Sequence, residues 1–239
     1  MDNTISTHRK RVKLDYECPY PTKNINCLVP QFTQNSPFRL VVCGIAGCGK
    51  SQMLGELIKQ LHIDKVCIYN NYRDDPLYEN IQNSIKDFHI GNDIMDILQD
   101  DHFDISKQNL VIVDRFPKSS MIHSKLDDQF MRARQYNRAM IYINHSFLHT
   151  PSIVTEKSNY FILYGGITKG ILRSIYRKIN SSVEEDDFIS VYNYATEKPF
   201  NFLFIDKNNE DNMMYLRKNF DEPIKVRRLL YPAKTNELS

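Results

Sequence analysis

Apolar residues along the chain come in two kinds of run. Short unbroken stretches at 40–43, 65–69, 109–114, 139–143 and 159–164, with a weaker one at 88–90, read as buried strands. Between them apolar positions recur with helical period. Met53, Leu54, Leu57, Ile58 and Leu61 form one such face, and Ile122, Leu126, Phe130 and Ala133 a second. Ile171, Leu172, Ile175 and Ile179 form a third. Shorter helices are predicted near 78–85 and 94–98, and a further one over 183–196. Segments 201–205 and 213–217 flank the polar run 206–211, which predicts a hairpin. Strands that alternate with helices imply an α/β fold with a mainly parallel sheet, helices on both faces, and ligands beyond the carboxyl ends of the strands.

The first strand runs straight into Gly44, Ile45, Ala46, Gly47, Cys48, Gly49, Lys50 and Ser51, which fit G-x-x-x-x-G-K-[ST]. Strand, glycine loop and helix is the context that gives this phosphate-loop pattern its meaning. A triphosphate needs many backbone N–H donors at close range. Gly44, Gly47 and Gly49 let the chain bend around it, and the helix that follows aims free N–H groups and its positive end at the anion. Lys50 adds a point charge on the β- and γ-phosphates, and the Ser51 hydroxyl can ligate Mg²⁺. ATP and Mg²⁺ are therefore the expected ligands. Cys48 is a small loop residue whose alkylation would impair ATP binding if its sulfur is exposed.

Four apolar residues ending in Asp114 repeat the pattern of a buried strand whose terminal carboxylate holds Mg²⁺ opposite the loop. The strand over 139–143 ends in Asn144, His145 and Ser146, where a γ-phosphate sensor would stand. A plain strand-end cap explains those residues equally well. Asp100, Asp101 and Asp104 read as a solvated loop. Lys169, Arg173 and Arg177 recur every fourth residue, either as a solvated helix face or as a contact for a DNA backbone.

Composition narrows the class without naming a partner. A chain of 239 residues with 41% apolar and 25% charged content suits one domain with a real core, and a net charge of +2 carries no information about ligands. The five cysteines, Cys18, Cys27, Cys43, Cys48 and Cys67, form no C-x-x-C pair and no even framework, which fits a reducing compartment. No apolar run approaches about 18 residues, so no membrane span is expected, and residues 1–20 lack a signal-peptide core. The expected organisation is a flexible basic arm over 1–36 carrying Arg9, Lys10, Arg11 and Lys13, an ATPase domain over 37–224, and a basic tail over 225–239.

From about residue 38 to 224 the chain resembles the genome-packaging ATPases of poxvirus-like large DNA viruses and virophages, within the superfamily that includes FtsK and HerA. The resemblance rests on the phosphate loop, on 110–114, and on Phe130-Met-Arg-Ala-Arg-Gln-Tyr-Asn137. It continues through Ile141-Tyr-Ile-Asn-His-Ser-Phe147 with Pro151, Tyr160-Phe-Ile-Leu163, Asn201-Phe-Leu-Phe-Ile-Asp206 and Arg217-Lys-Asn-Phe-Asp221. It implies a RecA-like P-loop NTPase fold with a C-terminal β-hairpin, and an ATP-driven motor that threads double-stranded DNA into a preformed capsid. It further implies a homo-oligomeric ring, a capsid or portal-vertex partner, and a place in the virion or in the viral factory of the host cell, not a secreted one. Within it Lys50, Asp114 and His145 would carry catalysis, and Arg134 would act as an arginine finger on a neighbouring subunit. Three positions depart from the family. Arg115 follows Asp114 where a second acid is usual, His145 stands for a glutamine, and Thr155 for an arginine. Asp127, Asp128 or a helper subunit would then supply the base.

Two other readings stay open. Asp114-Arg115-Phe116 with Ser119-Ser120 is similar to an element of thymidylate-kinase-like enzymes, where the arginine positions a phosphoryl acceptor. The same departures also fit a scaffold that binds nucleotide with little turnover.

Overall fold

In the computed structural model the described residues are 13–15, 37–70, 78, 81–83, 85–99, 103–114, 120–181, 183–208 and 215–227. Strand β1 is Lys13–Asp15 and β2, which leads into the phosphate loop, is Arg39–Cys43. Helix α1, Lys50–Gln60, follows that loop. Next come β3, Lys65–Asn70, β4, Asp87–Gly91, and the single-turn helix α2, Ile94–Ile97. Strand β5, Asn109–Asp114, and helix α3, Ser120–Arg132, lead to β6, Arg138–Asn144. Helix α4, Ser152–Lys157, precedes β7, Tyr160–Tyr164. Helices α5, Lys169–Ile179, and α6, Glu185–Ala195, come before β8, Phe202–Asp206. The last strands are β9, Leu216–Lys218, β10, Glu222–Pro223, and β11, Lys225–Arg227.

A nine-stranded sheet in the order β10-β9-β8-β7-β2-β6-β5-β3-β4 organises these elements. The six strands from β7 to β4 are parallel. The other three are antiparallel additions at one edge, so the sheet is mixed. The expected hairpin is the β8–β9 pair, with Leu203 opposite Lys218; the tip 209–214 lies outside the described residues. Leading away from β2 on one side and returning on the other, the chain makes a switch point at the carboxyl end of β2, where ligands settle in sheets of this kind.

Why the sheet is buried on both faces follows from strand pleating. Leu40 and Val42 face α1 residues Met53, Leu54, Leu57 and Ile58. Val41 and Cys43 face the opposite core with Leu126 and Phe130 of α3, Val154 of α4, and Leu172 and Ile175 of α5. Every residue of β2, β5, β7 and β8 is buried, which is why these strands read as unbroken apolar runs and not as alternating ones.

Two arginines anchor the amino edge of the sheet. Arg138, fully buried, donates to Gln129 Oε1 and lies 3.8 Å from the centre of the Phe103 ring. Arg39 donates to the Phe130 carbonyl at 3.1 Å. Helix α3 ends earlier than the predicted 135, in a turn over 133–137 where Asn137 takes a left-handed φ of 44°. On α5, Lys169, Arg173 and Arg177 are exposed, and Arg173 is tied to Glu185 of α6 at 2.7 Å.

A short antiparallel ribbon pairs Lys13–Asp15 with Lys225–Arg227, joining three residues of the expected arm to three of the expected tail. Most of the arm, with Arg9, Lys10, Arg11, Cys18 and Cys27, and residues 228–239 lie outside the described residues. So do 71–77, 100–102 and 115–119, and with them Asp100, Asp101 and Arg115. No helix among the described residues is long and apolar enough to cross a membrane.

Candidate functional site

The phosphate loop is held from below by the strands it leaves. Gly44 N–H donates to the Asn144 carbonyl at 3.2 Å, so pairing of β2 with β6 continues one residue into the loop. A Cβ on Gly44 would meet Cys48 Sγ at 2.6 Å and Tyr164 Cβ at 2.7 Å, which leaves no room for a side chain there. Gly49 caps α1 with φ 98°, a conformation that side chains rarely adopt. Beyond it the first N–H groups of α1 have no partner within the helix, which suits them to bind an anion.

Lys50 is buried to 9% exposure, and its ammonium folds back on the loop. Nζ donates to the carbonyls of Gly44 and Ile45, both at 2.7 Å, and lies 3.8 Å from Cys48 Sγ. A cation so placed needs only to exchange carbonyl oxygens for phosphate oxygens. An alkyl group on half-buried Cys48 would stand beside that ammonium. Ser51, the next residue, is exposed.

Three strand ends complete the edge. Cys43 of β2 pairs with Asn144 of β6, and Asp114 of β5 pairs with Ile143 of β6 and Asn70 of β3. Lys50 and Asp114 therefore share the carboxyl edge of the sheet, with β6 between their strands. Asp114 is 8% exposed and accepts a hydrogen bond from the Tyr78 hydroxyl at 2.8 Å. Sequence reasoning missed Tyr78, since nothing in its local pattern marks a residue that orients a carboxylate 36 positions away.

Asn144 and His145, at the end of β6, make different contacts. Asn144 is the cap: its Oδ1 accepts from His145 N–H at 2.7 Å, and its side chain also bonds Tyr142. His145 faces the loop, with Nδ1 3.3 Å from the Gly44 carbonyl and 3.5 Å from Lys50 Nζ. Below it, burial pushes the Cys43 thiol up to about 12 and holds the Tyr142 hydroxyl protonated well beyond the usual range.

Some expected residues stand elsewhere. Arg134 lies in the turn before β6, at the amino edge, exposed and close enough to Arg39 for their charges to repel. The five residues of β2 alone separate the two edges by about 16 Å at roughly 3.3 Å per residue. Arg134 thus cannot serve its own subunit's loop. It carries no ion pair among the described residues. Asp127 and Asp128 sit in the last two turns of α3, toward that same edge, and Asp128 is bound to Arg132 at 2.8 Å. Thr155 is buried and its hydroxyl donates to the Ser152 carbonyl. An arginine at that place would be buried against the core.

Two oxygen donors at this edge suit a hard cation. Ser51 offers a hydroxyl and Asp114 a carboxylate, and no cluster of three or more His, Cys, Asp or Glu able to hold a metal occurs among the described residues. Few protein oxygens beside a phosphate cradle suit Mg²⁺, which keeps waters and substrate phosphates as its other ligands.

No protein-family model and no curated protein sequence matches the chain. Among solved structures it is similar to the genome packaging NTPase B204 of Sulfolobus turreted icosahedral virus 2 in complex with ATP-gammaS, at TM-score 0.52 and 16% identity, covering 82% of this chain and 100% of that one. It is similar also to B204, the DNA-packaging ATPase of Sulfolobus turreted icosahedral virus, at TM-score 0.56 and 15% identity over the same shares. ATPases 2 and 3 of EccC from Thermomonospora curvata, in complex with a signal sequence peptide, align at TM-score 0.52 and 11% identity, with 84% of this chain but 38% of that one covered. Likeness at such identities is a likeness of fold: the chain has the mainly parallel sheet flanked by helices that these P-loop NTPase structures share.

Proposed function

We propose that this chain is an ATP-driven motor that moves double-stranded DNA into a viral capsid. The observation that supports it most is the shared carboxyl edge: Lys50 in a glycine cradle, His145 3.5 Å from its ammonium, and Asp114 oriented by Tyr78 beyond the intervening strand. Phosphoryl transfer asks a protein mainly for positioning and charge stabilisation. The loop N–H groups would bind the β- and γ-phosphates, and Lys50 would leave the Gly44 and Ile45 carbonyls to neutralise charge on the transferred group. Ser51 and Asp114 are the residues that would hold Mg²⁺, which supplies further neutralisation when bound. His145, released from Lys50, would report whether the γ-phosphate is present and pass that state to β6.

Arg134 belongs to the same reading only as a group acting across a subunit boundary. Exposed, without an acid partner among the described residues and repelled by Arg39, it suits a homo-oligomeric ring in which each subunit completes its neighbour's site. A capsid or portal-vertex protein would be the docking partner, in the virion or the viral factory. The test is the steady-state ATPase rate with duplex DNA, with dTMP, and with neither. Stimulation by DNA alone is expected. Stimulation by dTMP, with phosphate transferred to it, would replace the motor with a nucleotide kinase.

A further inference from the structure

The phosphate cradle opens sideways into a cavity to which none of the roles above is assigned. Its volume is about 540 Å³, inside the roughly 300–1,000 Å³ span of small-molecule sites. It starts at Gly49, follows α1 past Gln52 and Glu56, and ends against the start of β8 and the chain after β9. The floor is aromatic. Tyr164 and Phe202 have ring centres 5.3 Å apart, and Phe202 and Phe220 5.0 Å apart. The Tyr164 hydroxyl donates to the Gly49 carbonyl at 3.3 Å, which ties the floor to the cradle.

Phe200 forms the lip. It is 66% exposed and holds a left-handed φ of 68°, which is unfavourable for a bulky side chain. A Cβ on Gly49 would come 3.1 Å from Phe200 Cδ1, so the ring lies over the last glycine of the cradle. Folding gains little from a phenyl ring held in water on strained backbone; such strain gathers at ligand sites.

We infer that this cavity holds the base of the nucleoside triphosphate, stacked on Phe200, and that Gly49 marks where the phosphates end and the nucleoside begins. The inference rests on the nucleotide reading of the loop. Continuity selects the occupant: Gly49 belongs to both cradle and cavity, so a triphosphate bound by the loop carries its nucleoside to this opening. Chemistry agrees, since a floor of Tyr164, Phe202 and Phe220 accepts a flat uncharged ring and repels a free anion. Stacking of this kind tolerates any base.

Calorimetric titration with MgATP and with magnesium tripolyphosphate separates this inference from its premise. Wild type should bind both, and MgATP more tightly. Phe200→Ala should weaken MgATP by about 5- to 150-fold, the span of one base–aromatic stack, while tripolyphosphate binding stays unchanged and shows that the cradle is intact. Phe200→Tyr should restore MgATP affinity. MgATP bound equally well by wild type and Phe200→Ala would overturn the base site alone. Wild type that binds neither ligand would overturn the nucleotide reading and this inference with it.

Discussion

The ammonium of Lys50 lies 3.5 Å from Nδ1 of His145, and both groups approach the Gly44 carbonyl, at 2.7 and 3.3 Å. Nδ1 can accept from the ammonium or donate to the carbonyl, but not both at once. Movement of Lys50 toward a phosphate therefore frees His145 to change partners. Lys50→Ala should weaken ATP by about 10- to 150-fold, the cost of one charged hydrogen-bonding partner. His145→Ala should spare ATP affinity and lower turnover, and His145→Gln should keep much of the turnover. Calorimetry beside a phosphate-release assay checks all three. Unchanged turnover in His145→Ala would remove the histidine from the chemistry.

The hydroxyl of Tyr78 donates to one oxygen of Asp114 at 2.8 Å and so orients the carboxylate. Partners of this kind typically alter metal affinity or activity by about 10–100-fold. Tyr78→Phe should raise the Mg²⁺ concentration needed for half-maximal ATPase by that order. Asp114→Asn should abolish the Mg²⁺ dependence along with the turnover. A Mg²⁺ titration that looks the same in Tyr78→Phe and wild type would assign the tyrosine to packing alone.

What could be read from sequence was local, and what could not was distant. The loop 44–51 is legible because strand, glycines and helix are contiguous, and Asp114 because four apolar residues run straight into an acid. His145 was narrowed only to a choice, since a strand-end cap and a sensor use the same residue types. Its neighbour Asn144 turned out to fill the cap. Tyr78 and Phe200 reach the site from 36 and 151 positions away, from Asp114 and Gly49, across contacts that no short pattern encodes. The C-terminal hairpin is legible as two apolar runs around a polar one, but β8 is as apolar as a parallel strand, so its direction shows only in its pairing with β7.

Arg134 stands at the edge of the sheet remote from its own cradle, so any catalytic part for it must be played across a subunit boundary. Removing such a finger costs about 10³–10⁵ in rate. Arg134→Ala should lose turnover on that scale and keep ATP binding. Mixing it with Lys50→Ala, itself inactive, should recover activity, because mixed neighbours pair an intact cradle with an intact arginine. Absence of recovery in verified mixed oligomers would refute the trans role.

Burial raises the thiol of Cys43 from its ordinary 9.0 to about 12, and that of Cys67 to about 11. The folded protein thus keeps these protons at a pH where the unfolded chain has shed them. Below about pH 9 neither state is favoured, and stability is lost as pH climbs from there toward 11 and 12. Buried Tyr142 and Tyr164, shifted the same way, add to the loss at the upper end. The midpoint of urea unfolding should hold between pH 7 and 8.5 and fall by pH 10.5, where Cys43 alone removes about 2 kcal/mol of stability. An unchanged midpoint would mean that these groups reach solvent.

The motor reading is tested most directly by asking whether the protein moves along DNA. A third strand annealed to a duplex reports passage when it is displaced. Displacement that needs ATP and Mg²⁺, and that vanishes in Lys50→Ala, is the expected result. ATP turnover without displacement, and without stimulation by duplex DNA, would contradict it.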